Sequence, residues 1–217
     1  MKKPLPTLYL FNNIFYPQTI IPLTVTDAVS KKMLMTCFQE NLEIALFHPH
    51  PRSTGVGTLG RILLLDHNSD GSLNVMVQGL VRIKLLKKES DEPYPQYTID
   101  DYFDLDAQSE ILLGSPIERL NFVLSNWLNR HVHSSRERDR FMKDMSSPAK
   151  LINNLCMFLI KDIELKQIFL ESTSLIDRIR MMNALLVGES PETEDIEMCE
   201  AIKNFERLEI DQYKNVS

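Results

Sequence analysis

The sequence lacks a long hydrophobic segment. No apolar run approaches the ~18–20 residues that a membrane-spanning helix needs, although 43% of the 217 residues are hydrophobic. The amino terminus is basic, but the short apolar stretch after it is interrupted by Asn12, Asn13 and Pro17, which is a poor match to a signal peptide. We therefore expect a cytoplasmic protein of one or two domains with no membrane segment.

Cysteine is also scarce. Cys37, Cys156 and Cys199 are far apart, and an odd number without paired spacing argues against a disulfide framework. Each lies in an apolar or helical stretch, so we expect small buried hydrophobic side chains rather than reactive thiols.

The sequence carries none of the common motifs of catalysis or cofactor binding. Gly55–Gly60 is rich in glycine but lacks the Gly-Lys-Ser/Thr ending of a phosphate-binding loop, and no Gly-x-Ser-x-Gly elbow is present. The pairs His48-x-His50 and His131-x-His133 lack further ligands in metal-site spacing. We predict no catalytic, cofactor-binding or metal-binding residues and no enzyme activity. A dispersed active site, which would bring titratable residues together in a pocket, is a further hypothesis.

A surplus of positive charge is missing as well. Residues 189–217 hold nine acidic and three basic side chains, which account for the whole net charge of −6. The remaining chain is neutral overall, whereas a nucleic-acid-binding protein usually presents a basic stripe. Nucleic acid is therefore an unlikely partner on charge alone.

The first part of the chain, residues 1–106, is predicted to be rich in β-structure. Asp27 is a suitable N-cap for a helix over Ala28–Asn41. Two β-rich runs, Val56–Asp66 and Ser72–Lys88, flank an Asp-Gly turn signal and predict a hairpin. Gly79 interrupts the second run and indicates a bulge or a close backbone approach, the device by which a small sheet curls into a barrel.

The second part, residues 107–217, is predicted to be a helical bundle. Apolar residues recur at helical spacing through Glu110–His131, and Pro148 suits the first turn of the next helix. A final acidic helix, 191–213, either packs back on the bundle or pairs with another chain as a homo-oligomer. The fold class is therefore α+β, with a β-barrel or curled sheet followed by helices.

Four stretches of the β-rich part resemble the amino-terminal, substrate-recognition domain of the Lon protease. Leu5–Pro17 is similar to the family's Leu-Pro-Leu-Phe-Pro-Leu opening, and Ile21–Leu23 matches its Ile-Pro-Leu. Val56–Leu59 matches Val-Gly-Thr-Val/Leu, and Asp70–Ile83 is similar to Asp-Gly-Thr followed by Val-x-Gly-x-x-Arg-Val/Ile. The helical stretches Ser147–Ile152, Glu164–Glu171 and Leu175–Ile179 resemble the helices that follow the barrel in Lon.

This resemblance implies a PUA-like barrel and a free-standing copy of the domain, without the ATPase and protease parts of Lon. It implies binding of unfolded or tagged polypeptides, or of a protease partner, in a role as a proteolysis adaptor. Phe15 and Tyr16, beside Pro17, are the candidate polypeptide-binding residues; the alternative is that they fold onto the core.

A second hypothesis is an RNA-binding module, because PUA-like barrels also serve that role. Strand alternation places Arg82, Lys84 and Lys88 on one face, which favours a local basic patch.

Overall fold

A computed structural model describes residues 4–50, 53–105 and 114–186. Within these ranges the chain forms six strands and six helices. The strands are β1 (Leu5–Tyr9), β2 (Ile20–Val25), β3 (Ile44–Phe47), β4 (Val56–His67), β5 (Leu73–Ser90) and β6 (Gln96–Asp101). The helices are α1 (Ala28–Gln39), α2 (Gly114–His131), α3 (Ser135–Asp144), α4 (Pro148–Leu159), α5 (Ile163–Glu171) and α6 (Leu175–Leu186).

The strands form one sheet that closes on itself. Its order is β2-β5-β4-β3-β1-β6, and β6 pairs with β5 again. The 18-residue length of β5 permits this closure, because β2 and β4 pair with its first part and β6 pairs with it from Ile83 onward. Among the described strands, β2 has β5 as its only partner. Such an edge tolerates Pro22, which has no N–H to donate.

The turn between β4 and β5 forms where the Asp-Gly signal predicts it. Gly71 has a φ of 81°, a left-handed conformation that favours glycine. Asp70 accepts hydrogen bonds from the backbone and the hydroxyl of Ser72, at 2.9 and 2.7 Å. These bonds hold the pKa of the Asp70 carboxyl below its usual value. Local side-chain chemistry therefore fixes the start of β5 and the register of the hairpin.

Gly79 lies at an irregularity of the sheet, as predicted. The pairing of β4 with β5 shifts register between Leu59 and Gly60, where Gly79 is the partner. A Cβ atom on Gly79 would collide with the carbonyl oxygen of Tyr16. The absent side chain therefore lets the segment before β2 lie directly against the sheet, where Gly79 N donates to Thr19 O at 2.9 Å.

The described chain divides into two compact units. The β-rich unit runs through Asp104 and also includes Ile160–Thr173, which carries α5. The sequence instead predicts one boundary after residue 106, with α5 in the bundle. In the structure Gln167 of α5 donates to Val56 O of β4 at 3.2 Å, and Phe169 is fully buried. The difference arises because periodicity identifies an apolar helix face but not the surface that the face covers.

The helical unit contains α2, α3, α4 and α6. The apolar stripe of α2 is buried as predicted, through Leu120, Leu124, Trp127 and Leu128. Helix α4 begins at Pro148, and the Ser147 hydroxyl accepts from Lys150 N at 3.2 Å. The predicted helix 191–213, with its proposed pairing to another chain, lies outside the described residues.

None of the helices in the described ranges is both long enough and apolar enough to cross a membrane.

Candidate functional site

Phe15 and Tyr16, the residues suggested by sequence, are core residues in the structure. Their exposed fractions are 2% and 1%. The Tyr16 hydroxyl donates to Lys166 O of α5 at 2.5 Å, and Phe15 O accepts from the buried Thr58 hydroxyl at 2.6 Å. Both residues thus hold the segment before β2 against the barrel and α5. This placement corresponds to the alternative left open by the sequence, and it offers no surface to a polypeptide.

An open groove of about 570 Å³ lies elsewhere on the β-rich unit. It is lined by β1 and the segment that follows it, 7–13, by the end of β2 and by the start of α1. Tyr94 and Pro95, just before β6, also line it. The volume falls in the range of roughly 300–1,000 Å³ that is typical of ligand sites.

Exposed apolar side chains flank this groove. Phe11 and Val29 both line it, and their exposed fractions are 69% and 51%. Below them Leu8 and Met33 are buried and connect the groove to the core. The Tyr9 ring lies beside Phe11 in a tilted arrangement, with an interplanar angle of 55° and centroids 6.5 Å apart. Large apolar side chains left in water beside a concavity are typical of surfaces that bind another chain.

The groove carries little charge. The Tyr9 and Tyr97 hydroxyls are 2.9 Å apart, and burial together with this hydrogen bond holds the pKa of Tyr9 above its usual range. Burial also raises the pKa of Tyr94, so both phenols are neutral near neutral pH. Among the described residues that line the groove, Asp27 is the only one with an ionisable carboxyl group. Its side chain caps α1 by accepting from Ser30 N at 2.8 Å.

Comparison with known proteins gives the family. The model of the ATP-dependent protease La (LON) substrate-binding domain matches residues 4–188. The chain belongs to this family. The Lon protease of Desulforamulus reducens is 24% identical over 200 residues, covering 86% of this chain and 24% of that protein. The chain spans about a quarter of the length of the curated Lon proteases that it matches.

Solved structures of Lon amino-terminal domains share the fold. The N-terminal domain of the Mycobacterium avium complex Lon protease superposes with a TM-score of 0.67 at 16% identity, covering 86% of this chain and all of that one. The Lon N-terminal domain protein from Xanthomonas campestris gives 0.59 at 17% identity, covering 84% and 98%.

Arg82, in the Lon-like stretch of β5, has a structural role that strand alternation does not predict. Its exposed fraction is 6%. The guanidinium donates to Leu170 O and Ser172 O at 3.1 and 2.5 Å and pairs with the Asp104 carboxylate. It also lies 5.3 Å from the centroid of the Tyr102 ring. Strand alternation identified its face but gave no sign that α5 and Asp104 cover this position.

The other members of the predicted basic patch are partly neutralised. Lys88 pairs with Asp91, and Lys84 lies opposite Asp100 in the pairing of β5 with β6. With Arg82 buried, the described residues of this face do not form the cluster of free cations that strand alternation predicted, and phosphate binding depends on accessible cations.

His48 and His50, the first of the two histidine pairs in the sequence, make structural contacts. His48 Nδ1 lies 2.7 Å from Leu10 O, and His50 lies 3.6 Å from the Glu164 carboxylate. In the described ranges no three His, Cys, Asp or Glu side chains are grouped to hold a metal ion.

Proposed function

We propose that this Lon substrate-binding domain binds polypeptide segments without transforming them, and that the groove between β1, β2 and α1 is its binding surface. The observation that carries the proposal is the pair of exposed apolar side chains that line the groove, Phe11 from the segment after β1 and Val29 from α1. Unfolded polypeptides expose apolar side chains that folded proteins bury, so an apolar groove discriminates between the two states.

We further propose that the protein acts in proteolysis as an adaptor, by presenting bound segments to a protease partner. Family membership supports this role. The groove supports it because its lining consists of apolar, hydroxyl and amide groups with one carboxylate. Such a lining suits recognition of segments by general character rather than by a single sequence.

The first test is binding of an unfolded polypeptide. Reduced and carboxamidomethylated ribonuclease A, labelled with fluorescein, is titrated with the protein and read by fluorescence anisotropy. Covering a Phe11 side chain that is 69% exposed contributes roughly 1–2 kcal/mol. We therefore expect Phe11→Ser to weaken binding about 5- to 30-fold.

The chain offers a matched control for this substitution. Phe122 lies on α2 in the helical unit and is 67% exposed, nearly the same as Phe11. Phe122→Ser should leave the affinity unchanged. Equal losses in the two variants, or none in Phe11→Ser, would contradict the assignment to the groove. Salt-sensitive binding of single-stranded RNA with no binding of the unfolded protein would favour the RNA hypothesis.

A further inference from the structure

Strand β1, which lines the groove, has a neighbouring strand on each side. On one of these sides only part of the strand is paired. On one side β1 pairs with β3 in parallel from Thr7 to Tyr9, and Leu10 N donates to Phe47 O at 2.8 Å. On the other side β6 pairs with Leu5 and Pro6, and the last bond runs from Thr7 N to Pro95 O at 2.8 Å. Beyond that bond, this side of β1 faces the groove.

The hydrogen-bonding pattern of β1 determines which backbone groups face the groove. In a parallel ladder, alternate residues direct both their N–H and C=O groups to the same neighbour. Because Leu10 donates to β3, the backbone groups of Tyr9 point to the opposite side, as those of Thr7 do. The N–H of Thr7 is occupied by Pro95 O. Thr7 is buried, at 2% exposure, so the N–H and C=O groups of Tyr9, which is partly exposed, are the ones that lie along the accessible part of the edge.

The sequence prevents β6 from covering this edge. Leu5 pairs with Tyr97 and Pro6 with Gln96, and the chain before β6 bends at residues 92–94. If the ladder continued in the same register, residues 95 and 93 would stand opposite Thr7 and Tyr9. Both are prolines, and neither has an N–H to donate to the carbonyl groups of β1. The two positions at which β6 would complete the ladder are thus unable to do so.

The charge of the groove restricts what can occupy it. Asp27 is its ionisable carboxyl group, and the raised pKa values of Tyr9 and Tyr94 keep both phenols neutral. The nearby Lys31 donates to Gly71 O at 2.8 Å, in the turn before β5. Asp27 is thus the ionised group among the described lining residues, and a basic side chain of a ligand placed beside it would complement its charge.

We propose that the groove binds an extended polypeptide as an added strand on β1, with its backbone hydrogen-bonded to the N–H and C=O of Tyr9. Alternate apolar side chains of this segment contact Phe11 and Val29, and a lysine or arginine lies near Asp27. Strand addition supplies affinity through the backbone, which every sequence has, and selectivity through alternate side chains. This inference rests on the proposed polypeptide-binding function and specifies the conformation and charge of the ligand.

The test measures amide hydrogen exchange by NMR in the whole protein. The probe is a peptide of about nine residues, a usual strand length, that alternates valine and threonine and has lysine at both ends. In the free protein the Tyr9 amide should exchange faster than the Leu10 amide. Saturation with the peptide should slow exchange at Tyr9 at least about tenfold, because a new hydrogen bond protects it. The Leu10 amide, already bonded to Phe47 O, is the internal control.

A second peptide with glutamate at both ends tests the charge. We expect it to bind about fivefold more weakly at low ionic strength, where surface charges are least screened. Asp27→Asn should abolish this preference, because asparagine still caps α1 but carries no charge. A preference for the glutamate peptide, or one that persists unchanged in Asp27→Asn, would overturn the assignment of charge.

The remaining outcomes separate this inference from the proposed function. Binding of the lysine peptide without slower exchange at Tyr9 would overturn strand addition and leave polypeptide binding intact. Binding of unfolded ribonuclease A without binding of the peptide would likewise overturn strand addition and leave polypeptide binding intact. If neither probe binds, both proposals fail.

Discussion

Arg82 joins three parts of the β-rich unit, and its replacement tests how that unit is stabilised. The guanidinium on β5 contacts the end of α5 through Leu170 O and Ser172 O, and the segment after β6 through Asp104. Arg82→Met removes these contacts while keeping most of the apolar stem, which lies along the protein in arginine. The variant therefore isolates the polar contacts from the packing of the side chain.

The expected loss is about 3 kcal/mol. Breaking a buried ion pair by removing one partner costs roughly 3–5 kcal/mol. The lower end of that range applies here, because the Asp104 side chain is 19% exposed and can regain some water. With a urea m value of roughly 2 kcal/mol/M, this loss lowers the unfolding midpoint of the β-rich unit by about 1.5 M.

Two optical signals distinguish the units during urea unfolding. The chain has a single tryptophan, Trp127, in the helical unit, so its fluorescence follows that unit. Far-ultraviolet circular dichroism follows both. We expect Arg82→Met to shift the circular dichroism transition and to produce an early phase that tryptophan fluorescence does not follow, provided that the units unfold as separate cooperative units.

The control is an arginine on the same sheet. Arg61 of β4 pairs with Glu43 at 3.2 Å, but the two side chains are 50% and 38% exposed. Exposed pairs contribute about 0–1 kcal/mol, so Arg61→Met should leave the midpoint nearly unchanged. If Arg82→Met unfolds at the same urea concentration as Arg61→Met, the stabilising role assigned to Arg82 is refuted.

Two further predictions concern a glycine that has no room for a side chain and a cysteine that is buried. Gly79→Ala should lower the free energy of unfolding by about 1–3 kcal/mol in urea titrations, because the new Cβ would collide with Tyr16 O. Gly114→Ala, where no atom lies within 4 Å of the added Cβ, should show no loss. Burial raises the pKa of the Cys37 thiol to about 11, so little of it is thiolate near neutral pH. Iodoacetamide labelling of Cys37, located by mass spectrometry, should be slower in the folded protein than in urea near pH 8, and equal rates in the two would contradict this.

Local signals in the sequence predicted the parts of the fold that depend on local chemistry. Asp27 caps α1, Asp70 and Gly71 make the hairpin turn, and Gly79 marks the irregular position of β5. Each feature depends on a conformation or hydrogen bond that only a few residue types provide. Resemblance to Lon then supplied the barrel and the family, which the comparisons confirm.

Contacts between distant segments were not predictable in the same way. Tyr16 bonds to Lys166, 150 residues along the chain, and Arg82 bonds to Ser172, 90 residues along. Aromatic side chains beside a proline suggested a loop surface, and an arginine among lysines suggested a basic face. Which of these side chains are buried depends on where α5 packs, and no local pattern in the sequence encodes that position.

The free edge of β1 was predictable only in part. The two prolines that interrupt the neighbouring strand are visible in the sequence, but their position relative to β1 depends on the register between the strands. Pro93 and Pro95 are plain in the chain, and alone they indicate only an interrupted strand. Continued from the pairing of Leu5 with Tyr97, the register would place both prolines opposite the backbone groups of β1 that face away from β3. A shift of one residue would place them opposite the groups that face β3. The register of this one pair of strands therefore decides whether the prolines leave an edge free for a ligand. Binding on that edge would involve Phe11, whose 69% exposure gives it little part in folding, whereas stability rests on buried residues such as Arg82 and Tyr16.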